Sequence, residues 1–162
     1  MDHKTKFTNL KKCLKKENPV ILEIGAHTGT DTMRFLQYFD RPVIHCFEPN
    51  PRTAAVFKKY SMKDKRRVFL HEVAVYDEDI ESKEFFMTNE KISEDHFIKN
   101  KASILRCDHS FKISKDDFFE YKLNRSAASS LKKGHQAVST AESVKVECVK
   151  LDTWNASYNL DK

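Results

Sequence analysis

The feature that most constrains the fold is a repeated alternation of short apolar runs and helical patterns across residues 20–75. The apolar runs at 20–24, 42–48 and 68–75 have the length expected of strands that are buried on both faces of a parallel sheet. Glycine or proline bounds the first two runs, which separates them from the intervening helices. The pattern therefore predicts three strands in the first half of the chain.

Two helices are predicted between these strands. Residues 31–39 carry apolar side chains at helical spacing, and residues 51–60 do the same after Asn50. Asn50 is a favoured N-cap, and Pro51 suits the first helical position. Strands that alternate with helices form a parallel α/β sheet with right-handed crossovers, so we expect the spatial strand order third, second, first.

Two later segments predict an added β-hairpin. Residues 83–88 resemble a short edge strand, and residues 143–154 alternate apolar with charged side chains. Residues 89–124, between them, are charged and aromatic without clear periodicity. We interpret this segment as an insertion that covers the site.

The chain divides into a basic N-terminal helix and one α/β domain. Residues 1–19 place Phe7 and Leu10 at helical spacing among lysines, which predicts an amphipathic helix that caps the domain. Residues 20–162 form the domain, and their number suits a single hydrophobic core.

Composition restricts the partners and the compartment. The 29 Lys and Arg residues exceed the 24 Asp and Glu residues, largely within residues 4–16 and 63–67. We interpret these clusters as solvated surface and expect no nucleic-acid partner, because no RNA-binding signature accompanies them. Apolar runs fall far below the roughly 20 residues of a membrane span, so we expect no membrane association. The four cysteines are widely spaced and no signal peptide is recognisable, which favours a cytoplasmic protein without a metal site.

Two of the three glycines mark the candidate site. Gly25 and Gly29 fall in E-I-G-A-H-T-G-T at residues 23–30, where the first predicted strand ends. Glycine there lets the backbone turn sharply and lets a ligand approach closely, although an ordinary strand-to-helix turn has the same composition. The G-x-x-x-G spacing differs from the G-x-G-x-x-G of dinucleotide enzymes. Glu23 suits a cationic amino group, as expected for the methionine part of S-adenosylmethionine (SAM).

Glu48 lies at the end of the second predicted strand, 19 residues after Gly29. Rossmann-type folds place a carboxylate there, which accepts hydrogen bonds from ribose hydroxyls. The alternative is a charge at a helix N-terminus beside the Asn50 cap, which stabilises by about 0.3 to 1 kcal/mol. Together with the glycine turn, the spacing favours the ribose role.

With these motifs the chain resembles the FkbM-like family of SAM-dependent methyltransferases. The segments that carry the resemblance are L-E-I-G-A-H-T-G at 22–29, C-F-E-P-N-P at 46–51, V-A-V-Y-D at 73–77, S-A-A-S-S-L at 126–131 and V-E-C-V-K-L-D-T-W at 146–154. Together they span most of residues 20–154, and F-E-P-N-P is the most specific of them.

The resemblance implies a Rossmann-like SAM-dependent methyltransferase fold and methyl transfer to an oxygen of a small-molecule or glycan acceptor. The implied SAM-binding residues are Glu23, Gly25, Ala26, His27, Thr28, Gly29, Glu48, Pro49, Asn50 and Ala74. Ser129 and Ser130 match the active-site loop that binds substrate. The pattern names no catalytic residue, and His71 and His135 are candidate bases only if the acceptor needs one.

The chain departs from the family after residues 146–154, where the family continues with a short helix and further core strands. We therefore expect a fold that is incomplete at the C-terminus, with an uncovered apolar edge on the first strand. Such an edge is open to a second copy or to a completing chain. The alternative function is a non-catalytic or truncated SAM- or nucleotide-binding module that needs a partner chain or the missing C-terminal half of a longer polypeptide.

Overall fold

The computed structural model has a mixed α/β fold with two three-stranded sheets. The structure describes residues 3–62, 64–88, 94–95, 98, 114–120, 131 and 141–158. Its elements are α1 His3–Leu14, β1 Val20–Ile24, α2 Thr30–Tyr38, β2 Val43–Phe47, α3 Pro51–Tyr60, β3 Val68–His71, β4 Ala74–Val75, β5 Ile80–Thr88, α4 Lys115–Glu120, β6 Ala141–Val149 and α5 Leu151–Tyr158. The predicted α/β class is confirmed.

The first sheet has the order β1-β2-β3, with all strands parallel. Val20 pairs with Val43, and Ile44 pairs with Val68. Ile44 and Phe57 are fully buried where α3 packs on one face of the sheet. The predicted order and direction of the strands are confirmed, because strands that alternate with helices pair in parallel and consecutive strands usually lie side by side.

Helix α3 begins where its capping residues predict. The Asn50 side chain accepts a hydrogen bond from the Arg52 backbone N–H at 3.0 Å, and Pro51 is the first helical residue. Helix α1 packs on α2 through Phe7, whose ring lies 5.1 Å from that of Phe35. Local sequence was sufficient for both helices because their apolar faces and caps are local features.

Burial of β1 on both faces is a prediction that the structure contradicts. Val20, Leu22 and Ile24 are 51%, 39% and 56% exposed, whereas Ile21 packs against the core. Within the described residues, β1 has β2 as its neighbour on one side, and nothing covers the face that these three side chains share. Among the described strands, β1 is therefore an edge with an open apolar face.

The predicted strand over residues 68–75 is divided in the structure. Its first half, β3, pairs with β2, while β4 pairs in parallel with β6 of the second sheet. A hydrogen bond of 2.9 Å from the Tyr76 N–H to the Val149 carbonyl continues that second pairing. One apolar run serves two sheets because its halves have different hydrogen-bonding partners.

The second sheet has the order β4-β6-β5, and its antiparallel β5–β6 pair confirms the added hairpin. Residues 143–154 do not form one strand, because β6 ends at Val149 and α5 begins at Leu151. Asp79 accepts from the Lys150 N–H and from the Thr153 hydroxyl, both at 2.7 Å. This carboxylate caps the helix from a distant part of the chain, which the local alternation could not indicate.

The insertion at 89–124 is described mainly through α4. Asp117 on α4 accepts hydrogen bonds from the Lys59 ammonium at 2.7 Å and from the Tyr60 hydroxyl, which joins α4 to α3. The prediction that the insertion covers the site otherwise lies outside the described residues. Among the helices that the structure describes, none is long and apolar enough to cross a bilayer.

Candidate functional site

The glycine turn connects β1 to α2 and is tied to the end of β2. Gly25, His27 and Gly29 all have positive φ, at 77°, 54° and 84°. The backbone N–H groups of Gly25 and Ala26 both donate to the Phe47 carbonyl, at 2.9 and 3.0 Å. Left-handed backbone is accessible to glycine at little cost, which explains why two of the chain's three glycines lie here.

The two glycines serve different purposes. A Cβ on Gly25 would have no heavy atom within 4 Å, so this residue borders open space. A Cβ on Gly29 would overlap the Ser61 side chain and would lie 2.8 Å from Phe57 Cδ2. Gly29 therefore permits close packing of the turn against α3, whereas Gly25 leaves room for a ligand.

Glu48 joins the glycine turn to the start of α3. Its side chain is buried, and it accepts from the His27 N–H at 2.7 Å and from the Asn50 N–H at 2.9 Å. Burial raises the pKa of the carboxyl above its usual value, and the two backbone donors act against that rise. The carboxylate thus fixes the shape of the turn through these two hydrogen bonds.

Glu23 points toward α2. Its Oε2 atom accepts from the Thr32 hydroxyl at 2.5 Å and lies 3.7 Å from Cys46 Sγ. Burial is the largest cause that raises the pKa of Glu23 to about 7. Close to neutral pH the group is divided between its acid and its carboxylate.

A cavity of about 520 Å³ lies at the carboxyl ends of β1 and β2, between the two sheets. Its lining residues are Ile24, Gly25, Phe47, Pro49, Val73, Ala74, Val75, Tyr76, Lys83, Phe85 and Leu131. The volume lies within the range of small-molecule sites, and the lining is mostly apolar. Open α/β sheets bind ligands at this end of their strands.

The structure brings three of the predicted cofactor residues to the cavity wall, namely Gly25, Pro49 and Ala74. The other seven form the surrounding turn and its supports: Glu23, Ala26, His27, Thr28, Gly29, Glu48 and Asn50. Ala26 and Thr28, for example, are buried with 3% exposure each. Ser129 and Ser130 lie outside the described residues, but Leu131, which follows them, lines the cavity.

Sequence reasoning missed the wall that the second sheet contributes. Tyr76 follows β4, and Lys83 and Phe85 lie on β5. The available signal was the alternation of β5, which predicts that Phe85 and Met87 share an apolar face with Lys83. The pairing of β5 with β6 was needed to show that this face borders the site.

His71 does not line the cavity. Its Nε2 atom lies 3.1 Å from His45 Nδ1, and both rings pack against Trp154. Burial, together with the neighbouring His45, lowers the pKa of His71 to about 4. The ring is therefore neutral at pH 7 and lies in an aromatic cluster with Phe47 and Trp154, on the face of the first sheet opposite α3.

Comparison with known proteins gives one informative similarity. A stretch of 64 residues, 40% of this chain, is 45% identical to the 2-O-methyltransferase NoeI of Sinorhizobium fredii (strain NBRC 101917 / NGR234). The match covers 26% of that protein, about a quarter of its length. No family model and no solved structure matches the chain, so the FkbM-like resemblance stays a prediction. The similarity to NoeI supports a relationship between this chain and methyltransferases.

Proposed function

We propose that this protein is a SAM-dependent methyltransferase with a Rossmann-like fold, which transfers a methyl group to a hydroxyl of a small molecule or glycan. The observation that carries the proposal is the 45% identity to a 2-O-methyltransferase over 64 residues. The cavity beside the glycine turn supports it, because it has the position and size of a cofactor site.

The residues around the cavity suit the parts of SAM. Open space beside Gly25 leaves room for the methionine part. Glu48 accepts hydrogen bonds from the His27 and Asn50 N–H groups and from the Thr53 side chain, which leaves about one of its roughly four acceptor positions for a ribose hydroxyl. Phe47, Pro49 and Ala74 offer apolar surface to the adenine ring. These residues would hold the cofactor by shape and by hydrogen bonds to Glu48.

Other predicted cofactor-binding residues would hold the wall of the cavity in position. Gly29 lets the turn approach α3, and the Ser61 hydroxyl donates to the Thr28 carbonyl at 2.8 Å. His27 donates its N–H to Glu48, and Asn50 both donates to Glu48 and caps α3. We propose that these contacts hold Gly25 and Glu48 in the geometry that binding requires.

SAM bound here would supply a methyl group activated by its sulfonium sulfur, the acceptor hydroxyl would lose its proton to water, and S-adenosylhomocysteine would be the leaving group. The apolar lining would exclude most other water, and the turn would keep the reacting groups aligned. Ser129 and Ser130 remain our proposed acceptor-binding residues, since Leu131 lines the same cavity. A cytoplasmic location is part of the proposal and agrees with the free thiols of Cys13, Cys46 and Cys148.

The open face of β1 favours a second candidate function, a SAM- or nucleotide-binding module that works only with a partner. Val20 and Ile24 are more than half exposed on that face. Exposed apolar strand edges promote pairing with another chain. In this alternative a second copy or a completing chain would cover β1, and methyl transfer would depend on it.

The test is calorimetric titration of the protein with S-adenosylhomocysteine and with NAD. We expect saturable binding of the first ligand and none of the second. Gly25→Asn would place a side chain in the cavity, and asparagine tolerates the left-handed backbone at φ 77° better than most residues. We expect this variant to bind S-adenosylhomocysteine roughly tenfold or more weakly, about 1.4 kcal/mol.

Lys15→Asn is the matched control, because Lys15 also has positive φ, at 48°, and is exposed at the end of α1. It should bind like the parent. Parent protein that binds NAD in place of S-adenosylhomocysteine, or neither ligand, would refute the proposed cofactor.

A further inference from the structure

Lys83 lies on the same face of β5 as Phe85 and Met87, because alternate residues of a strand share a face, and a β-bulge precedes it. Ile80 pairs with Cys148 and Lys83 pairs with Val146, so β5 advances three residues while β6 advances two. The extra residue reverses the alternation at the bulge, which brings Ile80 onto the face that Lys83 shares with Phe85. Bulges of this kind redirect side chains and are frequent beside functional sites.

That face is the apolar one. Phe85, Val146 and Cys148 are buried in the core of the second sheet. Lys83 lies on the same face and lines the cavity. Its ammonium lies 4.5 Å from the centre of the Tyr76 ring, and Tyr76 lines the same cavity. In the described part of the chain, no carboxylate forms an ion pair with Lys83.

A cation in a mostly apolar cavity favours a ligand of opposite charge. Partial burial removes some of the water that would solvate the ammonium, and the Tyr76 ring compensates for this loss only in part. An anionic group on a ligand would restore that interaction in a site of low polarity, where charge-assisted hydrogen bonds are strong.

We propose that Lys83 and Tyr76 form an anion-binding subsite of the cavity, which takes a carboxylate or phosphate group of a bound ligand. Lys83 would bind the anion directly, and the Tyr76 ring would hold the lysine side chain in place. The proposal rests on the proposed function for its choice of ligands. The anion has two sources in that reaction: the carboxylate of the cofactor's methionine part, or an acidic group on the acceptor.

The test compares Lys83→Met, which keeps the length and the apolar stem, with Lys145→Met. Lys145 is exposed on the neighbouring strand β6, so this control removes the same charge outside the cavity. Lys83→Arg should retain binding because it retains the cation. Circular dichroism checks the fold of each variant, and calorimetry measures binding of S-adenosylhomocysteine and of 5′-methylthioadenosine, which lacks the carboxylate.

If the anion belongs to the cofactor, Lys83→Met binds S-adenosylhomocysteine roughly tenfold or more weakly, and 5′-methylthioadenosine within twofold of the parent. If it belongs to the acceptor, both nucleosides bind unchanged. Inorganic phosphate and acetate, titrated into the nucleoside-bound protein by NMR, then shift resonances of β5 in the parent and in Lys145→Met but not in Lys83→Met.

The subsite is overturned if Lys83→Met and Lys145→Met bind every probe alike. Failure of the proposed function would be recognised by a result different from this one. In that case the parent binds neither nucleoside, while phosphate or acetate still binds in a manner that depends on Lys83.

Discussion

Substitution of Glu23 by glutamine tests whether burial makes the ionised form of this carboxyl unfavourable in the folded chain. Glu23 is partly buried against Thr32 and Cys46. Burial, aided by the charge of Asp31, raises its pKa from 4.5 to about 7 despite the hydrogen bond from Thr32. The folded chain therefore resists ionisation of this group more than the unfolded chain does.

The sign of the effect follows from proton binding. Because the pKa of Glu23 is higher in the folded state, its contribution to stability is fully present below pH 4.5 and is lost as the pH rises to about 7. At about 1.4 kcal/mol per pH unit, the loss over this window is roughly 3 kcal/mol. His71, whose pKa is lowered to about 4, contributes in the opposite direction over part of the same range.

Urea unfolding of the parent and of Glu23→Gln, at intervals from pH 4 to pH 8, separates these contributions. His71 titrates in both proteins and cancels in the difference between their free energies of unfolding. Glutamine keeps an oxygen that can accept from the Thr32 hydroxyl but carries no charge. We expect the variant to gain about 3 kcal/mol relative to the parent between pH 4.5 and pH 7.5.

Glu17→Gln, at an exposed carboxyl, is the matched control for the change in net charge. It should show little pH-dependent difference from the parent. A difference for Glu23→Gln that stays constant within about 0.5 kcal/mol across the range would refute the reasoning.

Two further predictions concern the turn and the open strand. Glu48→Ala removes the acceptor of the His27 and Asn50 N–H groups, so we expect the free energy of unfolding measured in urea to fall by about 2 to 5 kcal/mol. Glu48→Gln should lower it less, and equal stability of all three proteins would contradict this. Leu22 is 39% exposed on the open face of β1. We therefore expect light scattering to show self-association of the parent, whereas Leu22→Lys should be largely monomeric. A monodisperse parent monomer would contradict this.

Local sequence was sufficient for much of the first half of the fold. The Asn50 cap, the proline after it and the apolar runs that pair as β1 and β2 all act over a few residues. The order of these strands then followed from the tendency of consecutive strands to lie side by side. The glycines and Glu48 located the carboxyl ends of those strands, where the cavity lies.

Tertiary structure decided which residues of these motifs border the cavity. Gly25 and Gly29 look alike in sequence, yet one borders open space and the other lies against Ser61 and Phe57. Only the approach of Phe57 and Ser61, which follow Gly29 by 28 and 32 residues, distinguishes them. In the same way, the end of β6 depends on Asp79, a cap that is distant in sequence.

Alternation along β5 predicts that Lys83 shares a face with Phe85, but it does not show that this face borders the cavity. The bulge between Ile80 and Lys83 exists only because β5 and β6 pair in a particular register. Register is a property of two strands, set by the packing of Phe85 and Val146 in a shared core. Patterns within one segment therefore predict elements, whereas the contacts between segments decide which side chains form a site.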